Sequence, residues 1–171
     1  TLPRLVSERD IRGDLHTHST WSDGRNTIAD MVGGARQLGY EYVAITDHSE
    51  RAWSSRKLAA ADVGRQREEI DQNRARTRGI EILHGIEVDI MHDGSLDFDD
   101  VVLQGFDIVL ASLHDWGGHD GARLTERYLR AIRHPLVNII THPANRSPGQ
   151  SDGYALDFDA LWAAAAETGT A

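Results

Sequence analysis

The sequence predicts an α/β domain built on a parallel sheet, either open or closed into a barrel. Three observations predict it. Short apolar runs of strand length alternate with stretches of helical period along the whole chain. Capping and turn residues fall at the junctions. No internal repeat, low-complexity segment or interdomain linker interrupts the alternation. The length of 171 residues fits one domain, and a hydrophobic content of 40% suffices for a core.

The elements follow in order. Residues 13–18 read as the first strand. Thr27 and Asp30 then have the spacing of a capping box, with Asp where Glu or Gln is usual. Ile28, Met31, Val32, Ala35 and Leu38 follow at helical spacing, and Gly39 supplies the stop. Gly33 and Gly34 each weaken this helix by about 1 kcal/mol relative to alanine. Residues 42–46 are a buried strand. Residues 58–78 read as a long charged helix, with Val63 and Ile70 on one face and Gly79 as its end. Residues 80–88 form the third strand, and His92-Asp93-Gly94-Ser95 is the turn of a small hairpin on the rim. Residues 107–113 are the fourth strand. Leu124, Tyr128, Ala131 and Ile132 mark a helix that ends before Pro135. Residues 137–141 are the fifth strand. Asp157 caps a last helix carrying Leu161, Trp162 and Ala165, Gly169 closes it, and Thr170-Ala171 would begin a sixth strand. Residues 1–12 are read as a linker segment and residues 13–171 as the domain.

Composition narrows the chemistry. There is no cysteine, which excludes a disulfide scaffold, a thiolate zinc site and a cysteine nucleophile. Histidine and carboxylate are left as the strong metal ligands. No apolar run reaches the roughly 18–20 residues of a membrane span, and the first residues have no apolar h-region of a signal peptide. The expected setting is cytoplasmic, with no membrane partner. A net charge of −9 argues against a generic nucleic-acid surface, although bound cations can supply positive charge locally. Among the 18 basic residues only Lys57 is a lysine. Arginine is the better phosphate clamp, but codon bias gives the same composition.

The nine histidines are not scattered. His16 and His18 end the first strand, Asp47 and His48 the second, Glu87 the third; His114 follows the fourth and His142 the fifth. Every strand thus delivers a metal-ligand type at its C-terminal end, the face where parallel α/β folds place their sites. Residues i and i+2 of a strand share a side, so His16 and His18 can serve one ion, and Asp14 would share that side and orient an imidazole. Glu87 can bridge two ions. Asp23, before the first helix, is a further candidate ligand. Four histidines are set aside: His134 at a helix C-terminus, His92 in the turn, His84 on the far side of its strand, and His119 in a glycine-rich loop at the rim.

The runs DLHTHSTWSDGR (residues 14–25), ITDHS (45–49), GIEVDI (85–90), ASLHD (111–115) and THPAN (141–145) resemble the polymerase and histidinol phosphatase (PHP) superfamily. The resemblance covers nearly the whole chain from Asp10. LPRLVSERDIRGDLHTH at the start, DGSLDF (93–98) and AAAETGTA (164–171) are closer still to the C-terminal PHP domain of bacterial and archaeal family X DNA polymerases. The resemblance implies a PHP-type (β/α)7 barrel, TIM-like, of which this chain carries about five βα units. It implies two to three divalent ions, Mn2+, Zn2+ or Fe2+. His16 and His18 would bind the first ion, Glu87 would bridge it to a second that His114 also binds, and Asp23, His48 and His142 would serve the third. A further Asp-x-His motif of the family lies after a later strand, beyond Ala171, so the chain reads as a fragment of a longer polypeptide or an impaired domain.

The implied reaction is phosphoester hydrolysis by metal-activated water, with His16, His18, Glu87 and His114 as the catalytic set. Arg51 and Arg146 each follow a ligand motif and are candidate phosphate contacts, against the plain alternative of solvated loop arginines. The first reading is a 3′–5′ exonuclease or DNA 3′-end-processing domain working beside an N-terminal polymerase domain. The second is a small-molecule phosphatase of histidinol-phosphatase type, and the third a non-catalytic scaffold.

Overall fold

The structure, a computed structural model, describes residues 3–171. After a 3-10 turn at Glu8–Asp10 the chain alternates strand and helix. Its elements are β1 (Gly13–Thr17), α1 (Ile28–Gln37), β2 (Tyr42–His48), α2 (Val63–Arg76), β3 (Glu81–Asp89), α3 (Asp100–Leu103), β4 (Ile108–Ser112), α4 (Gly121–Ile132), β5 (Ile139–Ile140) and α5 (Phe158–Thr168). The strands pair in chain order, all parallel, in one five-stranded sheet that curls into part of a barrel. With chain-order pairing, right-handed crossovers place every helix on one face. The other face is left concave.

The period of two decides what each face holds. On the helix face, Val43 and Ile45 of β2 and Ile82 of β3 pack on Ile28, Val32 and Ala35 of α1 and Ile70 of α2. Val109 and Ala111 of β4 with Leu113 pack among Leu124, Tyr128 and Ala131 of α4 and Leu161 and Ala164 of α5. Burying these side chains removes roughly 1.5–3 kcal/mol of unfavourable hydration for each large one. The alternate residues, including His48, Glu87 and His114, look into the concave face. Gly85 keeps that face tight. A Cβ there would stand 2.6 Å from the Thr46 methyl and 2.8 Å from that of Ile108.

Four details depart from the expected elements. The Thr27–Asp30 capping box forms as expected, but β1 contains a bulge. Asp14 pairs with Val43 and Thr17 with Ile45, so three steps of β1 oppose two of β2. The extra residue switches faces, and Asp14 lies with α1 residues such as Met31 and Ala35 on the helix side. Its carboxylate accepts the His16 backbone N–H at 3.0 Å, so the expectation that Asp14 shares a face with His16 and His18 is overturned. Thr46 bridges the bulge: its Oγ1 accepts from Thr17 N at 2.9 Å and donates to Thr17 O at 3.0 Å.

The second helix begins at Val63, not at 58. Leu58 is buried and donates its N–H to the His48 carbonyl at 2.8 Å, and a 3-10 turn at Ala60–Asp62 leads in. A one-turn helix, α3, was not expected; Asp99 caps it by accepting from Val102 N at 2.9 Å. The fifth strand is only Ile139–Ile140. On one side the Asn138 side chain takes the Val109 N–H at 2.8 Å. On the other, His142 has a positive φ of 31°. The small hairpin closes as expected, with an antiparallel bridge between Ile90 and Leu96. Ala171 donates to Asn138 O at 2.9 Å and accepts from Ile140 N at 2.8 Å, a parallel rung beside β5. No described helix is long and apolar enough to cross a membrane.

His84, set aside in the sequence, is buried on the helix face. Its Nε2 meets Gln66 Oε1 at 2.9 Å, and its ring packs on Phe106. Burial, with Arg67 beside it, pushes its pKa down to about 4. A folded pKa below the unfolded value of about 6.5 means that the neutral ring is the one the fold accepts. Its contribution is complete above about pH 6.5 and is lost as pH falls toward 4, a swing on the order of 3 kcal/mol. Urea denaturation at pH 7 and pH 4.5 should show a steeper loss of stability for the wild type than for His84→Gln. Identical pH profiles for the two would refute this account.

Candidate metal centre

Glu87 is the hub of the concave face. It sits next to the end of the central strand β3 and is 1% exposed. One carboxylate oxygen, Oε2, lies 3.2 Å from His16 Nε2, 3.5 Å from His18 Nε2 and 3.0 Å from His48 Nδ1. The other, Oε1, lies 3.0 Å from His142 Nε2 and 3.6 Å from His114 Nε2. Five histidines from β1, β2 and the ends of β4 and β5 thus converge on one buried carboxylate. Asp23 approaches from the loop before α1, with Oδ2 3.7 Å from His48 Nε2.

Three sets of donors are close enough to share an ion: His16, Glu87 and His142; His18, Asp23 and His48; and His48, Glu87 and His114. Every residue singled out from the sequence as a ligand falls in one of them. The partition differs from the one the resemblance implies. His142 groups with His16 and Glu87, whereas His18 groups with Asp23 and His48.

The donor chemistry fits a cation. Glu87 Oε2, His18 Nδ1 and His48 Nδ1 are buried and have no well-formed hydrogen bond among the described residues. A neutral imidazole carries one N–H and one lone pair, so several imidazoles around one carboxylate bring together more lone pairs than N–H groups. Burial and the neighbouring His48 push the His18 pKa down, which keeps its ring in the ligating form. Burial alone would raise the Glu87 pKa. The contacts from His142, His16 and His48 outweigh it and hold the carboxyl ionised, well below the usual range.

The surroundings orient these groups. Asp89 Oδ1 lies 2.6 Å from His114 Nδ1, which turns Nε2 of that ring toward Glu87. Burial pushes the His114 pKa down, but Asp89 and the nearby carboxylates more than reverse it. Asp89 was missed in the sequence, although its i+2 spacing from Glu87 places it on the same face. Asp47 was seen only as a strand-end residue. It is fully buried and accepts from Ser19 N and Oγ, both at 2.7 Å, Ser22 N at 3.1 Å, Ser22 Oγ at 2.6 Å and Gln66 Nε2 at 2.7 Å. These bonds fasten the loop that carries Asp23. Gly24 completes that loop, since a Cβ there would stand 2.1 Å from the His18 carbonyl oxygen. His142 occupies a left-handed conformation that β-carbons disfavour, at a cost of order 1–3 kcal/mol.

The two candidate phosphate contacts differ. Arg51 is exposed but tied: its backbone N–H donates to Asp97 Oδ2 at 2.7 Å, and its Nε lies 3.5 Å from Asp97 Oδ1. Arg146 is exposed in the loop after His142. His92 and His119 meet edge to face on the rim, with ring centroids 5.5 Å apart. His134 pairs with Asp100 at 3.2 Å. None of these three is in a ligand set.

Relatives place this arrangement. The chain is 41% identical to the DNA polymerase/3′-5′ exonuclease PolX of Bacillus subtilis (strain 168), over 98% of its own length and 29% of the relative's. It is 34% identical to a probable phosphatase of Thermoanaerobacter sp. (strain X514), over 91% of its length and 61% of the relative's. The chain therefore spans less than two thirds of either. Its fold is similar to that of the histidinol phosphate phosphatase of Lactococcus lactis, solved with Zn, L-histidinol and phosphate. That match has a TM-score of 0.62 at 20% identity and covers 93% of this chain and 71% of that one. Residues 14–152 match the family described as PHP domain. Since that span holds each of the histidine motifs, the chain belongs to the PHP domain family.

Proposed function

We propose that the chain is a metal-dependent phosphoesterase that processes DNA 3′ ends as a 3′–5′ exonuclease. The observation that carries the hydrolytic reading is the convergence of five imidazoles on buried Glu87 at 3.0–3.6 Å. The choice of DNA leans on the 41% identity to the Bacillus subtilis polymerase/exonuclease. That likeness also favours an N-terminal polymerase domain in the parent protein, residues 1–12 as the linker to residues 13–171, and a cytoplasmic setting.

His16, His18, Asp23, His48, Glu87, His114 and His142 would hold two to three divalent ions, Mn2+ or Zn2+, with Fe2+ compatible with the same donors. Bound ions supply Lewis acidity: they polarise the phosphoryl group and lower the pKa of water. The chain's own part is positional. Glu87 belongs to two ligand sets and so would be shared between them. Asp89 fixes the His114 ring, and Asp47 fixes the loop of Asp23. Arg146 is available to a substrate phosphate, and Arg51 contributes only what its pairing with Asp97 leaves free.

The reading is tested with a 3′-labelled single-stranded oligonucleotide, Mn2+ and the purified protein. End trimming should require Mn2+, stop on chelation, and vanish in His16→Ala with His18→Ala while the thermal unfolding of the metal-free protein is preserved. Trimming that survives the double substitution with bound metal unchanged would sink the metal centre. A second reading, a small-molecule phosphatase, is favoured by the net charge of −9. Rapid hydrolysis of histidinol phosphate with no trimming of DNA would select it.

A further inference from the structure

A cleft of about 330 Å³ opens beside the metal centre. It is lined by Arg51, Trp53, His114, Asp115 and Trp116. Its volume is at the lower end for ligand sites, the scale of one ring system. Two tryptophans in it are unusually open, Trp53 at 85% and Trp116 at 55% exposed. The charged groups of the cleft are already engaged. Arg51 is held by Asp97. Asp115 uses both oxygens, one 2.8 Å from His92 Nε2 and one accepting Gly117 N–H at 2.8 Å. What the walls offer a ligand is chiefly the two indoles, beside His114 of one candidate ligand set.

Both indoles stand on anchored backbone. Arg127, 1% exposed, donates to Ile90 O at 2.6 Å, Met91 O at 2.9 Å and Trp116 O at 3.3 Å. It staples the Trp116 loop to the hairpin after β3. Trp53 follows Ala52, which is buried and donates to Ser49 O at 3.2 Å, beside the strand end that carries His48. Little backbone ordering remains to oppose binding, so an exposed ring there is a prepared surface.

We propose that this cleft is the nucleobase subsite of the metal centre, where the unpaired base at a 3′ end stacks on Trp53 and Trp116 while its phosphate reaches the ions. The proposal rests on the phosphoesterase reading only for where the phosphate lies. Base–indole stacking is sequence-tolerant because every base has a π-face, so the subsite would accept any terminal base.

Isothermal titration of the Mn2+-loaded protein with dAMP and with deoxyribose 5-phosphate tests it, since the two differ by the base alone. The wild type should bind dAMP about tenfold more tightly, the lower range for one stacked base. Trp53→Ala with Trp116→Ala should bring the two affinities together. Trp53→Phe with Trp116→Phe should keep most of the preference. Equal affinities in the wild type, or a preference that the alanine pair retains, would overturn the subsite. A preference for dAMP in a protein that trims no DNA supports the subsite and overturns the DNA-end reading instead.

Discussion

Glu87→Gln should empty the centre and leave the chain folded. Glutamine keeps the shape but cannot supply a charged oxygen to two ligand sets at once. Substituting a residue that merely orients a metal ligand costs about 10–100-fold in affinity or activity, so removing a shared carboxylate should cost at least about 10³-fold in kcat. Elemental analysis should find the bound metal at background. Stability should fall less than the metal does. The wild-type carboxylate is 1% exposed and is faced by imidazoles and the Thr141 hydroxyl. Those contacts outweigh the cost of burying its charge, and a neutral amide keeps only part of them. The metal-free variant should therefore melt below the metal-free wild type, while the rise in Tm on adding Mn2+ disappears. A variant that keeps both its metal and that rise would show that Glu87 is structural.

Asp47→Ala should do the reverse, weakening the fold first and the centre as a consequence. Asp47 touches no ligand set; it gathers five donors from the Ser19–Ser22 loop and α2 in a fully buried site. Truncation leaves the Ser19 and Ser22 amides and the Gln66 amide without acceptors. At about 1–3 kcal/mol for each orphaned buried group, the loss is about 3–5 kcal/mol after relaxation, or a drop in Tm of about 10 °C for a chain this long. Because the loop leads into Asp23, metal content should fall at the His18–Asp23–His48 set before the other two. Asp47→Asn, which restores an acceptor oxygen, should recover part of the stability. An Asp47→Ala protein with unchanged melting would rule out the anchoring role.

How much of this was legible beforehand follows from the range of each interaction. The strand-end ligands were readable because their signal is local. A strand alternates with period two, a parallel sheet puts its C-terminal ends together, and His16, His48, Glu87 and His114 obey both rules; His142 obeys only the second, and its left-handed backbone brings it to the concave face beside Thr141. The helix caps at Thr27, Asp157 and Gly169 were readable for the same reason. Interactions between distant segments were not. Asp89 is 25 residues from the imidazole it orients. The Asp47 bonds run to Ser19 and Ser22, which carry no hydrophobic pattern. The misplacement of Asp14 came from applying strand periodicity across a bulge that exists only because β2 is there to be paired with. The one-turn α3 is shorter than the period that would reveal it. The fifth strand is cut short by an asparagine side chain and a left-handed histidine.

The bulge in β1 has a consequence for variation along that strand. It divides the strand in two: Gly13-Asp14 keeps register with Tyr42 and Val43, and His16-Thr17-His18 is held through the Thr17–Thr46 contacts. Across the extra residue the Asp14 carboxylate on the His16 N–H ties the halves together. A change at Asp14 on the helix side is therefore felt by an imidazole on the opposite face, through one hydrogen bond.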